Sequence, residues 1–295
     1  MNKKERKGIL LSGGLGSRLF PITKGLSKQL MPIYDKPMVY FPLSVLMLAG
    51  IRDIALITNP ENIGLYKKVL EDGSQWGINL TYLSQPSPDG IAQAYILAED
   101  FLKGSTSALI LGDNLFYGDK LSDLLIKANN NEHGATIFGY RVSNPSEYGV
   151  IRYGENENIA LEIQEKPAKP PSNYAVSGLY FFDNDVCEKA KNLKPSKRGE
   201  LEITCLLNSY LRDHNLNVIN MGRGYTWLDT GTHESLLDAG NFVRTIQKRQ
   251  GLHIGSPDEI SYQKGWIDKE QLIKRANLFD KTSYGKYLEQ ISLDF

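Results

Sequence analysis

Residues 8–11, Gly-Ile-Leu-Leu, are apolar and break at once into Ser12-Gly13-Gly14-Leu15-Gly16-Ser17-Arg18-Leu19. A short apolar run bounded by turn residues reads as a buried strand. A buried first strand ending in glycines commits the chain to a sheet with a ligand-facing loop at its carboxyl edge. Glycines let backbone N–H groups close on an anion, and successive N–H groups form a concave nest for it. Arg18 and Lys28 add positive charge to the same region. The loop suits a polyphosphate, but it is no Walker A loop: Ser17-Arg18 follows Gly16 where Gly-Lys and a hydroxyl residue are needed. A dinucleotide fingerprint fits no better, because Leu19 occupies the place of the third small residue.

The rest of the composition bounds the partners. Lys plus Arg and Asp plus Glu both number 34, so no charge excess favours nucleic acid or a membrane surface. A small anion needs only a local cluster of positive charge. Cys187 and Cys205 form no framework, and His133, His214, His233 and His253 lack metal-ligand spacing. The basic start, Met1 to Lys7, leads into too short an apolar run for a signal peptide. No run approaches the ~20 residues of a membrane span, so a cytoplasmic location is expected.

Strands and helices alternate through the first half. Strands are expected at 53–58, 78–83 and 108–111, and helices at 37–49, 61–71, 91–102 and 121–129. Such alternation gives a three-layer α/β fold with a mixed, mostly parallel central sheet. Residues 135–141, 149–153, 159–165 and 174–182 are extended, which predicts added strands over one end of the sheet. Helices return at 185–190, 201–212, 232–250, 269–276 and 284–291. One catalytic domain over 1–250 is expected, with a nucleotide part to about 130 and a sugar part over about 131–230. A helical extension, 251–295, packs on it.

Two apolar strands end in acids: Ala108 to Leu111 before Gly112-Asp113-Asn114, and Tyr225 to Leu228 before Asp229. Ligands in open α/β sheets sit beyond the carboxyl ends of strands. Two carboxylates there, with phosphates between them, suit Mg²⁺, which prefers oxygen ligands and keeps several waters. Asp113 could instead cap a turn, and Thr232 reads best as the cap of the helix from His233. Gln85 precedes Pro86-Ser87-Pro88-Asp89-Gly90. Its amide offers the donor and acceptor that a pyrimidine imide edge requires, although a plain strand-to-helix turn explains the segment too. Adjacent strand residues point to opposite faces, so Glu165 and Lys166 pair only if the strand bends. Pro167 restricts Lys166 to extended geometry. Trp227 reads as core or as a wall of the site. Arg198 to Thr204 reads as a polar helix start.

In order along the chain, Gly13-Gly14-Leu15-Gly16-Ser17-Arg18-Leu19, Ser27-Lys28-Gln29-Leu30-Met31-Pro32, Gln85 to Gly90, Leu111 to Asn114, Glu165-Lys166-Pro167, Asn173 to Tyr180, Arg198 to Thr204 and Trp227 to Thr232 make a specific set. With Gly265-Trp266-Ile267-Asp268, the chain resembles the bacterial glucose-1-phosphate thymidylyltransferases, of the sugar nucleotidylyltransferase family, over its whole length. Only Met31 and Cys205 depart from the pattern, at positions associated with Leu and Asp. The resemblance implies Mg²⁺-dependent transfer of a deoxythymidylyl group from dTTP to glucose 1-phosphate. The products are pyrophosphate and dTDP-glucose, a precursor of deoxysugars such as dTDP-rhamnose.

It further implies that Arg18 bridges the reacting phosphates, Lys28 assists the triphosphate and Lys166 grips the sugar phosphate. Asp113 and Asp229 hold the metal. Gly13, Gly14, Gly16, Ser17, Gln29, Gln85, Pro86 and Gly90 complete the nucleotide site. Asn114, Tyr148, Gly149, Glu165, Val176 and Trp227 border the sugar phosphate. A homotetramer with a separate feedback site for a dTDP-sugar is implied as well, without residues for that second site. The rivals are a pyrophosphorylase using uridine or adenosine triphosphate, a non-catalytic sugar-nucleotide sensor and a dinucleotide redox enzyme. Leu19 disfavours the last.

Overall fold

The computed structural model describes residues 5–155 and 159–294; Met1 to Lys4 of the basic start lie outside the described residues. The chain runs through β1 (Lys7–Ser12), the short β2 (Pro32–Ile33) and β3 (Lys36–Pro37), α1 (Tyr40–Leu48), β4 (Asp53–Thr58), α2 (Ile63–Leu70) and β5 (Asn79–Ser84). Then follow α3 (Gln93–Leu97), α4 (Glu99–Leu102), β6 (Ser107–Leu111), β7 (Asn114–Gly118) and α5 (Leu121–Asn130). The second half holds β8 (Ala135–Arg141), β9 (Gly149–Tyr153), β10 (Ala160–Glu165), β11 (Tyr174–Phe182), α6 (Val186–Lys191) and α7 (Ile203–Arg212). It closes with β12 (Leu216–Asn220), β13 (Tyr225–Asp229), α8 (His233–Gln250), α9 (Pro257–Gln263), α10 (Lys269–Leu278) and α11 (Ser283–Asp294).

Among the described residues one mixed sheet takes the order β10-β9-β11-β6-β1-β4-β5, with β8 joined to β11 and β12 to β8. The half β6-β1-β4-β5 is parallel. β11 meets β6 antiparallel and carries β8 and β9. The expected added strands therefore hydrogen-bond into the central sheet and extend it. Side chains in a strand alternate between faces, and both faces here are covered. Leu10, Ile54, Leu56 and Ile110 enter one core with α1, α2 and α5, whereas Ile9, Ile57 and Leu109 enter the other with α3, α6 and α7. β13 pairs with β7, with Asp229 opposite Asn114.

Several expected elements differ. The helix expected from Pro37 begins at Tyr40, because Lys36–Pro37 pairs with Pro32–Ile33. The expected 91–102 helix is two short ones broken at Ala98. The polar helix start at Arg198 is a loop, and α7 begins at Ile203 with Glu202 as its cap residue. β7, β12 and α9 had no expectation. Thr232 caps α8 through a reciprocal box with Ser235, as read from the sequence.

The last three helices enclose their own small core of Leu272, Tyr284, Leu288 and Ile291. Ser261 Oγ donates to the Trp76 carbonyl at 2.8 Å, and Arg275 Nε lies 2.7 Å from the buried Asp258 Oδ1. The first bond ties this helical unit to the turn before β5, and the second joins α9 to α10 within it. Among the described residues no helix is long and apolar enough to cross a membrane.

Candidate active site

β1, β4, β5 and β6 are parallel, so their carboxyl ends gather at one edge of the sheet. Gly13 leaves β1 against Gln85, which follows β5. A Cβ on Gly13 would stand 1.7 Å from Gln85 Oε1, so a side chain there would displace the Gln85 amide. Gly13, Gly14, Gln29, Gln85, Gly90 and Asp113, with Leu11, Pro88, Ile91, Leu111 and Glu200, line a cavity of about 270 Å³. Gln85 is buried and donates through Nε2 to Gln93 Oε1 at 2.7 Å. Gln29 is also buried, but its Oε1 accepts from Ser27 Oγ at 3.1 Å and Tyr66 OH at 3.2 Å. Its carbonyl is thereby committed inside the protein.

A second cavity of about 170 Å³ adjoins the first through Ile91, Leu111 and Asp113, which line both. Every residue expected to border the sugar phosphate lines it: Asn114, Tyr148, Gly149, Glu165, Lys166, Val176 and Trp227, together with Asp229. Asn114 is the keystone of its wall. Its Nδ2 donates to Asp113 Oδ1 at 2.8 Å, while its Oδ1 accepts from Trp227 Nε1 at 2.6 Å and the Gly178 N–H at 3.2 Å. A Cβ at Gly178 would lie 2.4 Å from that oxygen, so a side chain there would displace the Asn114 amide. Trp227 supports the Tyr148 ring at 5.2 Å, and Tyr148 OH donates to Asp229 Oδ1 at 3.0 Å.

The two acids converge because Thr230 returns to Asp113. Its N–H and Oγ1 both donate to the Asp113 carbonyl, at 3.1 and 2.9 Å. Their charges differ in environment. Burial alone would raise the Asp113 carboxyl, but Lys28 Nζ at 2.5 Å and the Asn114 amide hold it below the usual carboxylate range. Burial raises the Asp229 carboxyl, and the neighbouring Asp113 adds to that against the Tyr148 hydrogen bond. A cation between the acids would relieve this repulsion. Among the described residues no group of three or more His, Cys, Asp or Glu side chains could hold a metal. Two carboxylates leave most of a hard cation's coordination shell to other oxygen ligands, so the pair suits an ion that also binds phosphates and water.

Lys166 departs from the extended geometry expected before Pro167. Its φ is +41°, in the left-handed region that non-glycine residues seldom enter. Its N–H donates to the Tyr148 carbonyl at 3.0 Å. This bend is what lets neighbours on one strand face one cavity, with Lys166 Nζ 3.9 Å from Glu165 Oε1. Such backbone strain is typically stored at functional sites. Burial and nearby Glu202 raise the Glu165 carboxyl, while Lys166 and Arg198 oppose the shift.

Gly16, Ser17, Arg18, Lys28 and Pro86 line neither cavity. Pro86 is exposed, and Pro88 takes its place in the wall. Arg18 is exposed on the glycine loop but reaches over Gly231. A Cβ on that glycine would lie 3.6 Å from Arg18 Nη1 and 3.5 Å from Asp229 Oδ2. Sequence reasoning missed Gln93, Glu200 and Arg198 as site residues. Arg198 approaches Glu165, Glu200 and Glu202 at 3.4–3.6 Å. The Arg-Gly-Glu-Leu-Glu charge alternation at 198–202 faintly marks Arg198 and Glu200, and nothing comparable marks Gln93.

A family model described as Nucleotidyl transferase matches residues 7–246. The Xanthomonas campestris pv. campestris glucose-1-phosphate thymidylyltransferase is 55% identical over 288 residues, 98% of this chain and 97% of its own length. The Mycobacterium tuberculosis protein of the same name is 51% identical, covering 97% and 98%. A Bacillus anthracis crystal structure with sucrose, described under the same activity, superposes with a TM-score of 0.75 at 40% identity, covering 81% of this chain and 95% of that one. A UDP-glucose pyrophosphorylase bound to UDP-glucose shares the fold, with a TM-score of 0.72 at 24% identity.

Proposed function

The chain belongs to the nucleotidyl transferase family, and on that premise we propose that it joins dTTP to glucose 1-phosphate, forming dTDP-glucose and pyrophosphate. One observation carries the reading: Asp113 lies in the wall shared by two adjoining cavities. The first offers an amide and backbone edges to a base, and the second offers hydroxyl, carboxylate and amine groups to a sugar phosphate. A molecule filling both has its phosphates at Asp113 and Asp229, flanked by Lys28, Lys166 and Arg18.

The sugar phosphate oxygen attacks the α-phosphorus in line, and the β-phosphate oxygen leaves with pyrophosphate. The attacking oxygen is already ionised, so no general base is required. Lys166 holds the sugar phosphate, and the bend at this residue turns its amine into the cavity. Lys28 and Arg18 neutralise charge on the triphosphate. Fixed cations and hydrogen bonds of this kind act by positioning and by stabilising developing charge. Asp113 and Asp229 would hold Mg²⁺, which supplies charge neutralisation at the α-phosphate and leaving group. Gln85, Gly90 and the Gly13 backbone read the thymine.

Assembly as a homotetramer with a distinct feedback site, and a cytoplasmic location, are proposed from the family likeness. The deciding experiment measures pyrophosphate release over a panel of nucleoside triphosphates and sugar 1-phosphates. The proposal expects the highest kcat/KM with dTTP and glucose 1-phosphate, dependent on added Mg²⁺ and abolished by a chelator. No release with any pair would make the protein a sensor. A preference for adenosine triphosphate would reassign the base.

A further inference from the structure

Gln85 can read a pyrimidine only if its amide faces a fixed way, because the two ends of an amide are near-isosteric and opposite in hydrogen-bonding sense. Thymine presents an N3–H donor where cytosine presents a bare N3 acceptor. A Gln85 that turned freely would serve both bases. The structure contains a chain of contacts that removes this freedom.

The chain begins at Asp89, an exposed residue of the loop after β5. An ionised carboxylate only accepts hydrogen bonds. Asp89 Oδ2 accepts from Gln93 Nε2 at 2.9 Å, which turns the Gln93 carbonyl the other way. The Asp89 backbone N–H, which only donates, points at Gln93 Oε1 from 3.3 Å. Both anchors therefore impose the same orientation on Gln93, and neither can reverse. Gln93 Oε1 then accepts from Gln85 Nε2 at 2.7 Å. The amino end of Gln85 is committed inward, so its Oε1 is left against Gly13 at the mouth of the base cavity. Ser87 Oγ fixes Asp89 in turn by donating to its Oδ1 at 2.5 Å.

We propose that Gln93 and Asp89 are specificity-determining positioning residues: they lock the Gln85 amide with its carbonyl toward the base, so that the site accepts an N3–H pyrimidine and rejects cytosine. The proposal rests on the reading of Gln85 as a base contact made above. It goes further in stating which end of the amide meets the base and what holds it there. A carbonyl facing the cytosine N3 would set two acceptors together in a buried site. Such unpaired polar contacts give sites their strong discrimination.

The test compares kcat/KM for dTTP and dCTP, at saturating glucose 1-phosphate, in wild type, Gln85→Ala, Gln93→Leu, Asp89→Asn and Gln93→Glu. Circular dichroism and melting curves accompany each variant. Gln93→Leu keeps the bulk at the helix start but frees the Gln85 amide. It is expected to narrow the dTTP-to-dCTP ratio by roughly tenfold or more, the scale on which polar mismatch discriminates, with dCTP use rising in absolute terms. Asp89→Asn, whose new amide can accept or donate, should narrow the ratio by less. Gln93→Glu sets a second carboxylate against Asp89 Oδ2, so it should also narrow the ratio, and adding Asp89→Asn, whose amide can donate to it, should restore most of the ratio, which a merely structural role would not predict. If Gln85→Ala collapses the ratio and Gln93→Leu lowers both nucleotides equally, the orienting chain is overturned and the base contact survives. An unchanged ratio in Gln85→Ala overturns the base contact and this inference with it. Should Gln93→Leu fail to fold, Gln93→Glu decides: an unchanged ratio there overturns the proposal.

Discussion

The two halves of the cleft are built by different means. On the nucleotide side the walls come from the ends of parallel strands, where a strand terminus and a tight loop already point backbone groups outward. Gly13, Gly14 and Gly90 line that cavity as bare backbone. On the sugar side the strands are antiparallel, and the wall consists of side chains that hold one another: Asn114 with Trp227 and Gly178, Tyr148 with Asp229, Glu165 with Lys166 and Arg198. The first side is framed by topology, with a short chain of side-chain contacts only at Gln85, and the other is held throughout by a polar network. Damage to the network should spread, whereas damage to the topological side should stay local.

Asp113 and Asp229 stand at the border and give the largest expected effect. If they form one metal site as proposed, Asp113→Asn and Asp229→Asn should each lower kcat by roughly 10²–10³-fold or more, the scale of losing a key charge stabiliser. The double variant should cost far less than the product, because members of one unit are not additive. Their stabilities should move in opposite directions. The Asp229 carboxyl is raised on folding, so its ionised form destabilises the fold above that raised value. The cost disappears as pH falls below the unfolded value, and Asn removes it at neutral pH. The Asp113 carboxyl is lowered on folding, so its pairing with Lys28 stabilises the fold above the usual carboxylate range. That contribution is lost as pH falls through the folded value. Calorimetric melting at pH 7.5 should show a higher Tm for Asp229→Asn and a lower one for Asp113→Asn. Equal Tm shifts would remove the electrostatic contrast between the acids.

Next in size is Lys166. Lys166→Ala should raise the KM for glucose 1-phosphate by at least about tenfold, as expected for one contact to a charged phosphate. The dTTP dissociation constant, read by titration calorimetry, should move little. An equal loss of dTTP affinity would transfer Lys166 to the triphosphate and erase the division between the halves. A smaller effect tests the network itself. Trp227→Phe keeps the ring under Tyr148 but deletes the donor to Asn114, and should cost about 1 kcal/mol of stability. It should also raise the glucose 1-phosphate KM while sparing dTTP. Unchanged sugar kinetics would show that the wall does not depend on that hydrogen bond.

The same contrast explains what was legible in the sequence. Strands 53–58, 135–141, 149–153 and 174–182 were read with their observed limits, because apolar or alternating runs bounded by turn residues report burial directly. Asp113 and Asp229 were readable for the same reason, as the polar residues at which such runs end. Lys166 was misjudged in backbone, and the structure sets it in the wall of the second cavity. The usual restriction before proline was overruled by the Tyr148 carbonyl, a partner 18 positions away that no local rule registers. Gln93 and Arg198 were invisible because their roles reside in side-chain contacts across loops. The 91–102 helix was expected whole because its apolar spacing is continuous, and periodicity does not register the backbone turn at Ala98.

The smallest expected effect concerns the base. On the proposed reading Gln85 and backbone groups meet the imide edge that thymine and uracil share, so only the thymine methyl separates the two. Burying one such group is worth roughly 0.8 kcal/mol, which converts to about a fourfold preference at ~1.4 kcal/mol per tenfold. Any further preference for dTTP over UTP must come from the ribose 2′-OH, by steric conflict or by burial without a partner. The expected order of kcat/KM is therefore dTTP, then dUTP within about fourfold by the same conversion, then UTP, with adenosine and guanosine triphosphates far below. Purines are larger and lack the imide edge. The measurement is kcat/KM for each nucleotide at saturating glucose 1-phosphate. A gap much wider than fourfold between dTTP and dUTP would mean that the methyl enters a tight side-chain pocket. The nucleotide side would then share the building principle of the sugar side, and the contrast between them would fail where it is most directly measured.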